Sequence, residues 1–324
     1  MVIVDSGSGP GFLVGRLFPE QQAAADIKIE PINYLSFRDL LGPFRVCRPG
    51  APAARHHGRV PTIVYVHAHP DDEASQTSGS MARAAAEGHR VVVVFATNGD
   101  HGELALDLAD GETVADRRRR EAQASANVLG VARVEWLGYA DSGMNGWEQN
   151  HHPGAFLQAD LDEAARRLAR ILDDEAADVV VGYDWHGGYG HPDHVKVHQL
   201  VHRATSLSVA RARVLESTFN RDVLRRMYDA AVAAGEAAAD WDPDAPMDDG
   251  NPLGTPEAEI HLQVDVTDYL PQRRASMEAH RSQATDIEGF LGMPEDVFAA
   301  FFGTEHYVEP GREPGMRRGW FFDD

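Results

Sequence analysis

From about residue 60 onward, two kinds of stretch alternate along the chain. Short, mostly apolar runs, rich in β-branched residues, fall at 63–66, 90–97, 134–137 and 178–183. The second holds Val91-Val92-Val93-Val94-Phe95 with no polar interruption. Such a run fits a strand covered on both faces, as in a parallel sheet. Between the runs lie segments of helical spacing. One covers 80–87 and stops at Gly88, a C-terminal cap. Another opens with a capping box, Thr113-Val114-Ala115-Asp116, and ends at Leu129-Gly130. A third sets Leu161, Ala164, Ala165, Leu168, Ile171 and Leu172 on one face. A fourth runs from Pro192 to about Val209. This alternation predicts an α/β fold. Its core is a Rossmann-like, doubly wound, mostly parallel sheet with helices on both faces. Folds of this kind bind ligands at the C-terminal ends of their strands.

The pattern divides the chain into an N-terminal extension, 1–60, and one domain, 61–324. Within that domain a C-terminal subregion begins at about 210. It reads as a strand at 214–219, a helix at 222–239, an acidic Pro-bearing loop at 240–256, an edge-like strand at 260–266 and a helix at 269–280. The last helix carries basic Arg273 and Arg274. The extension has no readable role. Its Gly7-Ser8-Gly9-Pro10-Gly11 is not a dinucleotide loop, because Pro10 interrupts it and no βαβ unit follows. The segment is expected to pack on the core or to drive assembly, which leaves a homo-oligomer open.

The apolar runs end in polar clusters. After 63–66 come His67-Ala68-His69-Pro70-Asp71-Asp72-Glu73. His69 and Asp72, three apart on a Pro-fixed turn, can fold back onto one point. An imidazole and a carboxylate converging there suit Zn²⁺ or a similar divalent metal. Asp71 then points elsewhere, free to handle a proton. After 178–183 come Asp184-Trp185-His186-Gly187-Gly188-Tyr189-Gly190-His191-Pro192-Asp193-His194. Pro192 suits the first position of a helix, which makes His191 its cap and puts His194 in its first turn. Both strands end on one rim, so His69, Asp72 and His194 can meet at one metal. Three protein ligands leave a position for water, as in catalytic rather than structural zinc sites. Asp71 is then the candidate general base. His191 is placed to face a developing oxyanion or leaving amine, with Asp193 expected to fix its tautomer and raise its pKa. Trp147, Trp185 and His186 are candidates for a substrate platform.

Composition removes several alternatives. A formal net charge of -21 argues against nucleic acid and anionic membrane surfaces as partners. No apolar run reaches the length of a membrane span, and the N-terminus lacks the features of a signal peptide. The single cysteine, Cys47, excludes an internal disulfide framework and fits a reducing compartment, so a cytoplasmic location is expected.

The same segments resemble a known family, the PIG-L/LmbE-type N-acetylglucosaminyl deacetylases. Within it the chain is most similar to the mycothiol-pathway deacetylase and S-conjugate amidase. The matching segments are Ala68-His69-Pro70-Asp71-Asp72-Glu73, Arg118-Arg119-Arg120-Glu121, Tyr139-Ala140-Asp141-Ser142-Gly143-Met144 and Gly187-Gly188-Tyr189-Gly190-His191-Pro192-Asp193-His194. Weaker echoes are Ala279-His280-Arg281-Ser282-Gln283 and Glu305-His306-Tyr307. The resemblance implies one Zn²⁺ per chain on His69, Asp72 and His194, a site Fe²⁺ would also accept. It implies Asp71 as general base and His191, with Asp193 behind it, as stabiliser of the tetrahedral intermediate. Tyr189 matches a mobile tyrosine that reaches the oxyanion. Arg118 and Asp141 match groups that hold sugar hydroxyls or a neighbouring phosphate or inositol, and Glu103 an acidic rim residue on the amine side. Taken alone, the arginines of 117–120 are a solvated helix face, Asp141 caps a turn, and Tyr189 packs over glycines.

The expected function is metal-dependent removal of the acetyl group from an N-acetylated amino sugar or glycoconjugate, a small-molecule substrate. The alternatives are an amidase that cleaves a larger thiol conjugate, and a non-catalytic sugar- or metal-binding protein on the same scaffold. A phosphoesterase fits less well, because such sites often hold two metals and the ligands here suffice for one.

Overall fold

The strands expected from the apolar runs form, in order, β1 (Thr62–His67), β2 (Arg90–Thr97), β3 (Arg133–Tyr139), β4 (Val179–Tyr183) and β5 (Arg213–Thr218). In this computed structural model, which describes residues 59–102, 107–234 and 242–323, all five are parallel. Three more strands, β6 (Leu262–Asp265), β7 (Thr304–Val308) and β8 (Arg317–Arg318), extend the sheet to the order β3-β2-β1-β4-β5-β7-β6-β8. The order reverses between β1 and β4. That crevice is the topological switch point where doubly wound sheets bind ligands.

Helices cover both faces. α1 (Ser78–Ala86) and α2 (Val114–Leu129) lie on one face, α3 (Leu161–Asp174) and α4 (Pro192–Leu207) on the other. The valine runs are explained by this arrangement. Val91 and Val93 pack with Met81, Ala122 and Leu129, while Val92 and Val94 pack with Leu168, Leu172, Val197 and Leu200. Each of these valines is essentially fully buried, which contributes about 1.5–3 kcal/mol per side chain by area transfer.

Local signals fix the helix ends. Thr113 caps α2: its hydroxyl accepts from Asp116 N–H, and Asp116 accepts in return from Thr113 N–H, both at 3.1 Å. Gly130 ends that helix at φ 74°, where a side chain would be strained. Asp160 caps α3 through Glu163 N–H at 2.7 Å. α4 starts as expected, with Pro192 in its first position and His191 as cap.

The remaining helices are α5 (Arg221–Ala234), α6 (Leu270–Ala279), α7 (Ala284–Leu291) and α8 (Glu295–Phe302). Met277, Ile287, Phe290, Phe298 and Phe302 make a third core with Tyr189 and Leu253, beside the switch point.

Two expectations need correction. The first helix does not begin near Ser80: a π-helical turn, Glu73–Thr77, precedes α1 and makes the rise from the turn continuous with it. The strand expected at 260–266 is not an edge. β7 lies between it and β5, and β8 covers its other side. Arg273 of α6 is fully buried, ion-paired with Glu305 and bonded to the Ser75 carbonyl at 2.7 Å. The extension up to residue 58, and residues 235–241, which take in the end of the helix expected at 222–239 and the start of the acidic loop, lie outside the described residues. Among the described residues no helix is long and apolar enough to cross a membrane.

Candidate active site

The turn after β1 is held open by backbone strain. Asp71 has φ 112°, a conformation that costs a non-glycine residue on the order of 1–3 kcal/mol. Its N–H donates to Glu73 Oε2 at 2.9 Å, and its carbonyl accepts from Ala74 N–H at 3.0 Å. The twist sends the neighbouring carboxylates of Asp71 and Asp72 in different directions. Asp72 turns inward and is 6% exposed. Its Oδ2 accepts from the His69 N–H at 2.7 Å and the Tyr183 hydroxyl at 2.8 Å. Its Oδ1 lies 3.3 Å from His194 Nε2, while Oδ2 is 3.4 Å from His69 Nδ1. The structure therefore brings His69, Asp72 and His194 together across the switch point.

The hydrogen bonds around these imidazoles decide their tautomers. His194 Nδ1 is 3.1 Å from the Gly187 carbonyl, which can only accept. The proton therefore sits on Nδ1 and leaves Nε2 with a bare lone pair. That Nε2 is buried and has no hydrogen-bond partner among the described residues. Gly187, at φ 66°, permits the approach: a Cβ there would sit 2.5 Å from His194 Cβ. His69 Nε2 faces Asp193 Oδ2 at 3.3 Å and Asp141 Oδ1 at 3.5 Å. A proton shared with those carboxylates leaves His69 Nδ1 bare on the side of Asp72.

A divalent cation fits this donor set. An orphaned buried lone pair, a second imidazole and a buried carboxylate with one uncommitted oxygen converge, and two further carboxylates hold the outer nitrogen of His69. Charge balance points the same way. Burial opposes charging His69, but Asp141, Asp193 and Asp72 outweigh it and hold its pKa well above the usual value. Burial likewise opposes ionising Asp72, yet His194 and His69 hold it well below the carboxylate range. Three buried carboxylates facing one imidazole form an electronegative pocket.

Asp71 faces a different partner. Its Oδ2 pairs with Arg118 at 3.0 Å. Burial pushes its pKa up to about 7, against the opposing pull of Arg118. Arg118 is itself buried, bonded to the Gly99 carbonyl at 2.6 Å and to the Pro70 carbonyl. Its guanidinium thus ties the loop after β2 to the strained turn, and a side chain at Gly99 would collide with it.

His191 lies beside the cluster, its ring 4.6 Å from that of His69 and 5.1 Å from that of His194. Its Nδ1 accepts from the Asp193 backbone N–H at 3.1 Å, which leaves the proton on Nε2. Burial, reinforced by the charges of His69 and His194, pushes its pKa down to about 3. Here the expectation for Asp193 is corrected. Asp193 fixes the tautomer through its backbone N–H rather than its carboxylate, and the carboxylate's upward pull on the His191 pKa is outweighed by burial and the neighbouring histidines; the carboxylate accepts from the Ser142 hydroxyl and N–H and faces His69. Tyr189 sits edge-on to His194 at 4.9 Å and to His191 at 6.2 Å. Asp141 caps its turn, accepting from Gly143 N–H at 2.8 Å, and touches His69 as well. Glu103 lies outside the described residues.

Trp185 and Trp147 are exposed, at 55% and 37%. His186 is not a platform residue: it is buried, with Nε2 2.7 Å from Asp249 Oδ2. Tyr183 and Ser142 escaped sequence reasoning. Tyr183 ends β4 at the rim, and a polar tip in that position was the available signal. Its ring stacks on His194 at 4.3 Å, and its hydroxyl accepts from Ala68 N–H at 3.0 Å while donating to Asp72. A buried network of Glu73, His280, Ser125 and Ser276 backs the turn, with His280 Nε2 2.6 Å from Glu73 Oε1.

The PIG-L family model, described as GlcNAc-PI de-N-acetylase, matches residues 64–205. The 1D-myo-inositol 2-acetamido-2-deoxy-alpha-D-glucopyranoside deacetylase of Acidothermus cellulolyticus is 36% identical over 272 residues, covering 77% of this chain and 88% of that protein. The enzyme of the same name from Nocardiopsis dassonvillei is 37% identical over 277 residues, covering 80% of this chain and 98% of that protein. The chain belongs to the PIG-L family. Among solved structures, GalB, the 4-carboxy-2-hydroxymuconate hydratase of Pseudomonas putida KT2440, aligns with a TM-score of 0.51 at 18% identity. That alignment covers 78% of this chain and 98% of that one. It supports the fold. A hydratase on the PIG-L fold leaves the reaction to be read from the site itself.

Proposed function

We propose that this PIG-L family member is a zinc-dependent hydrolase that removes the acetyl group from an N-acetylated glucosamine carried on a small polar aglycone. The observation that supports it most is the convergence of His69, Asp72 and His194 beside a separately oriented Asp71. A protein that only bound a sugar or a metal would have no use for that fourth, strained carboxylate. Two imidazoles and one carboxylate are a zinc-type donor set with room for water and substrate, although Fe²⁺ accepts the same groups. A bound divalent metal supplies Lewis acidity, polarising the amide carbonyl and lowering the pKa of water to about 7.

The chain's own residues carry the proton traffic. Asp71, with a pKa raised toward neutrality, accepts a proton from the attacking water. It returns that proton to the sugar nitrogen as the carbon–nitrogen bond breaks, giving acetate and the free amine. His191 stays neutral with its proton on Nε2, so it donates a hydrogen bond to the oxygen that develops charge. Asp193 and Asp141 keep the outer face of His69 protonated and its inner face bare. Arg118 keeps Asp71 turned toward the cleft.

The relatives named for an inositol-linked acetamidoglucoside make that substrate the first to try. Acetate release would be measured from N-acetylglucosamine, from its inositol glycoside and from a thiol conjugate of larger size. Release of acetate from a glycoside is the expected result. Cleavage confined to the amide of the thiol conjugate, with no acetate from either simple sugar, would replace this reading with that of a conjugate amidase.

A further inference from the structure

The helix that brings His194 to the active site carries two more histidines on the same face. His194, His198 and His202 stand four residues apart along α4. His198 and His202 reach the neighbouring strand rather than the switch point. Glu216 of β5 pairs in register with Gly182 of β4. A side chain at Gly182 would press on Val201 of α4, so the helix rides close over this part of the sheet. Glu216 rises beside that bare position and meets the helix. Its Oε1 lies 2.7 Å from His202 Nε2 and 3.4 Å from His198 Nδ1. The two rings are 4.6 Å apart, and one donor atom from each of the three residues falls within 4.8 Å of the others.

We propose that His198, His202 and Glu216 form a second divalent-metal site, separate from the catalytic centre and selective for Zn²⁺-like ions that accept imidazole.

Three features carry this. First, the donor set is right: imidazoles one helical turn apart with a carboxylate from an adjacent strand present three ligands to one point. Zinc at about 2.0–2.1 Å from each ligand needs donor separations of about 3.3 Å. The 2.7 Å pair opens to this by a small side-chain rotation, and His198, whose Nδ1 faces the Tyr183 carbonyl at 3.2 Å as well as Glu216 at 3.4 Å, ligates once its ring turns from that carbonyl. Second, Glu216 is a buried carboxylate, 6% exposed, whose ion-pair partners among the described residues are these two imidazoles. No lysine or arginine among the described residues pairs with it. A bound cation would supply the counter-charge that a buried carboxylate calls for. Third, the site is open where a ligand must enter. The His202 side chain is 39% exposed and that of His198 21%, which leaves solvent to complete the coordination shell. An ion here would staple α4 to β5. His198 lies beside the carbonyl of Tyr183, whose ring stacks on His194, so the staple rests against the strand end that supports the active site.

The test is metal stoichiometry in the full chain. Protein stripped with a chelator is dialysed against buffered Zn²⁺, and bound metal is counted by atomic emission. The native chain should take up two equivalents. His202→Gln and Glu216→Gln should each take up one, with at least a tenfold loss of affinity at the second site. His194→Ala should keep an equivalent that is lost on adding His202→Gln. Circular dichroism checks the fold, and His202→Gln, at a half-exposed position, carries the test if Glu216→Gln does not fold. One equivalent in the native chain overturns the proposal. So does a second equivalent that persists in His202→Gln, because the ion then sits elsewhere.

Discussion

Tyr183→Phe removes one oxygen atom from the middle of the site without touching a proposed ligand. That hydroxyl is fully buried, accepts from the Ala68 N–H at 3.0 Å and donates to Asp72 Oδ2 at 2.8 Å. The hydroxyl also lies 3.1 Å from His67 Nδ1, so phenylalanine leaves the amide and that imidazole nitrogen unpaired and takes one donor from a buried carboxylate. A neutral bond contributes about 1 kcal/mol and one to a charged group about 1.5–3 kcal/mol. The metal-free variant should therefore be less stable by roughly 3.5–5 kcal/mol in urea unfolding. The second effect is on the metal. Tyr183 orients Asp72, and loss of such a supporting group typically lowers metal affinity about 10–100-fold. Because bound metal stabilises only the folded chain, the deficit should widen by about 1.4–2.7 kcal/mol when zinc is in excess. Unfolding of native and variant chains, each with and without zinc, measures both quantities. A deficit that is the same in both conditions would refute the reasoning, since Tyr183 would then support only the fold.

Other perturbations test other links. Arg118→Gln takes a positive charge from 3.0 Å beside Asp71. The charge lowers that carboxyl, so its loss should move the acid limb of the pH–rate profile upward by about one to three units; an unmoved limb would detach Asp71 from the reaction. His306 is buried and its pKa is pushed from 6.5 down to about 4. Between those values the unfolded chain binds the proton and the folded chain does not, so stability falls as pH drops through the window, by about 3 kcal/mol in all. In His306→Gln the stability curve between pH 6.5 and 4 should be shallower by about one proton, and an identical slope would show that His306 does not titrate as argued.

The readable parts of the sequence were those where one local rule decides the outcome. The valine run of β2 could only be a doubly covered strand, and its bounds agree with the expectation. The capping box at Thr113 and the proline after His191 set helix starts that the structure shares. His69, Asp72 and His194 were readable as a group because β1 and β4 deliver them to the same crevice. What failed depended on which atom faces which over a long separation. Asp193 follows His191 by two residues, but its carboxylate meets His69, which lies 124 positions away. β7 was missed because Glu305 interrupts its pattern; the buried Arg273 from α6, with the Gly79 and Ser80 N–H groups and the Tyr307 hydroxyl, makes a charge tolerable there.

The claim that most depends on the whole account is that Asp71 moves the proton while a metal held by other residues assists. The measurement is acetate release from an N-acetylglucosaminide by stripped protein, with and without added zinc, in the native chain and in Asp71→Asn. Zinc should restore release in the native chain. Asp71→Asn should still take up the metal but release acetate about 10²–10⁴-fold more slowly. Release that survives thorough removal of metal, or that Asp71→Asn leaves within a few-fold of native, would contradict the account.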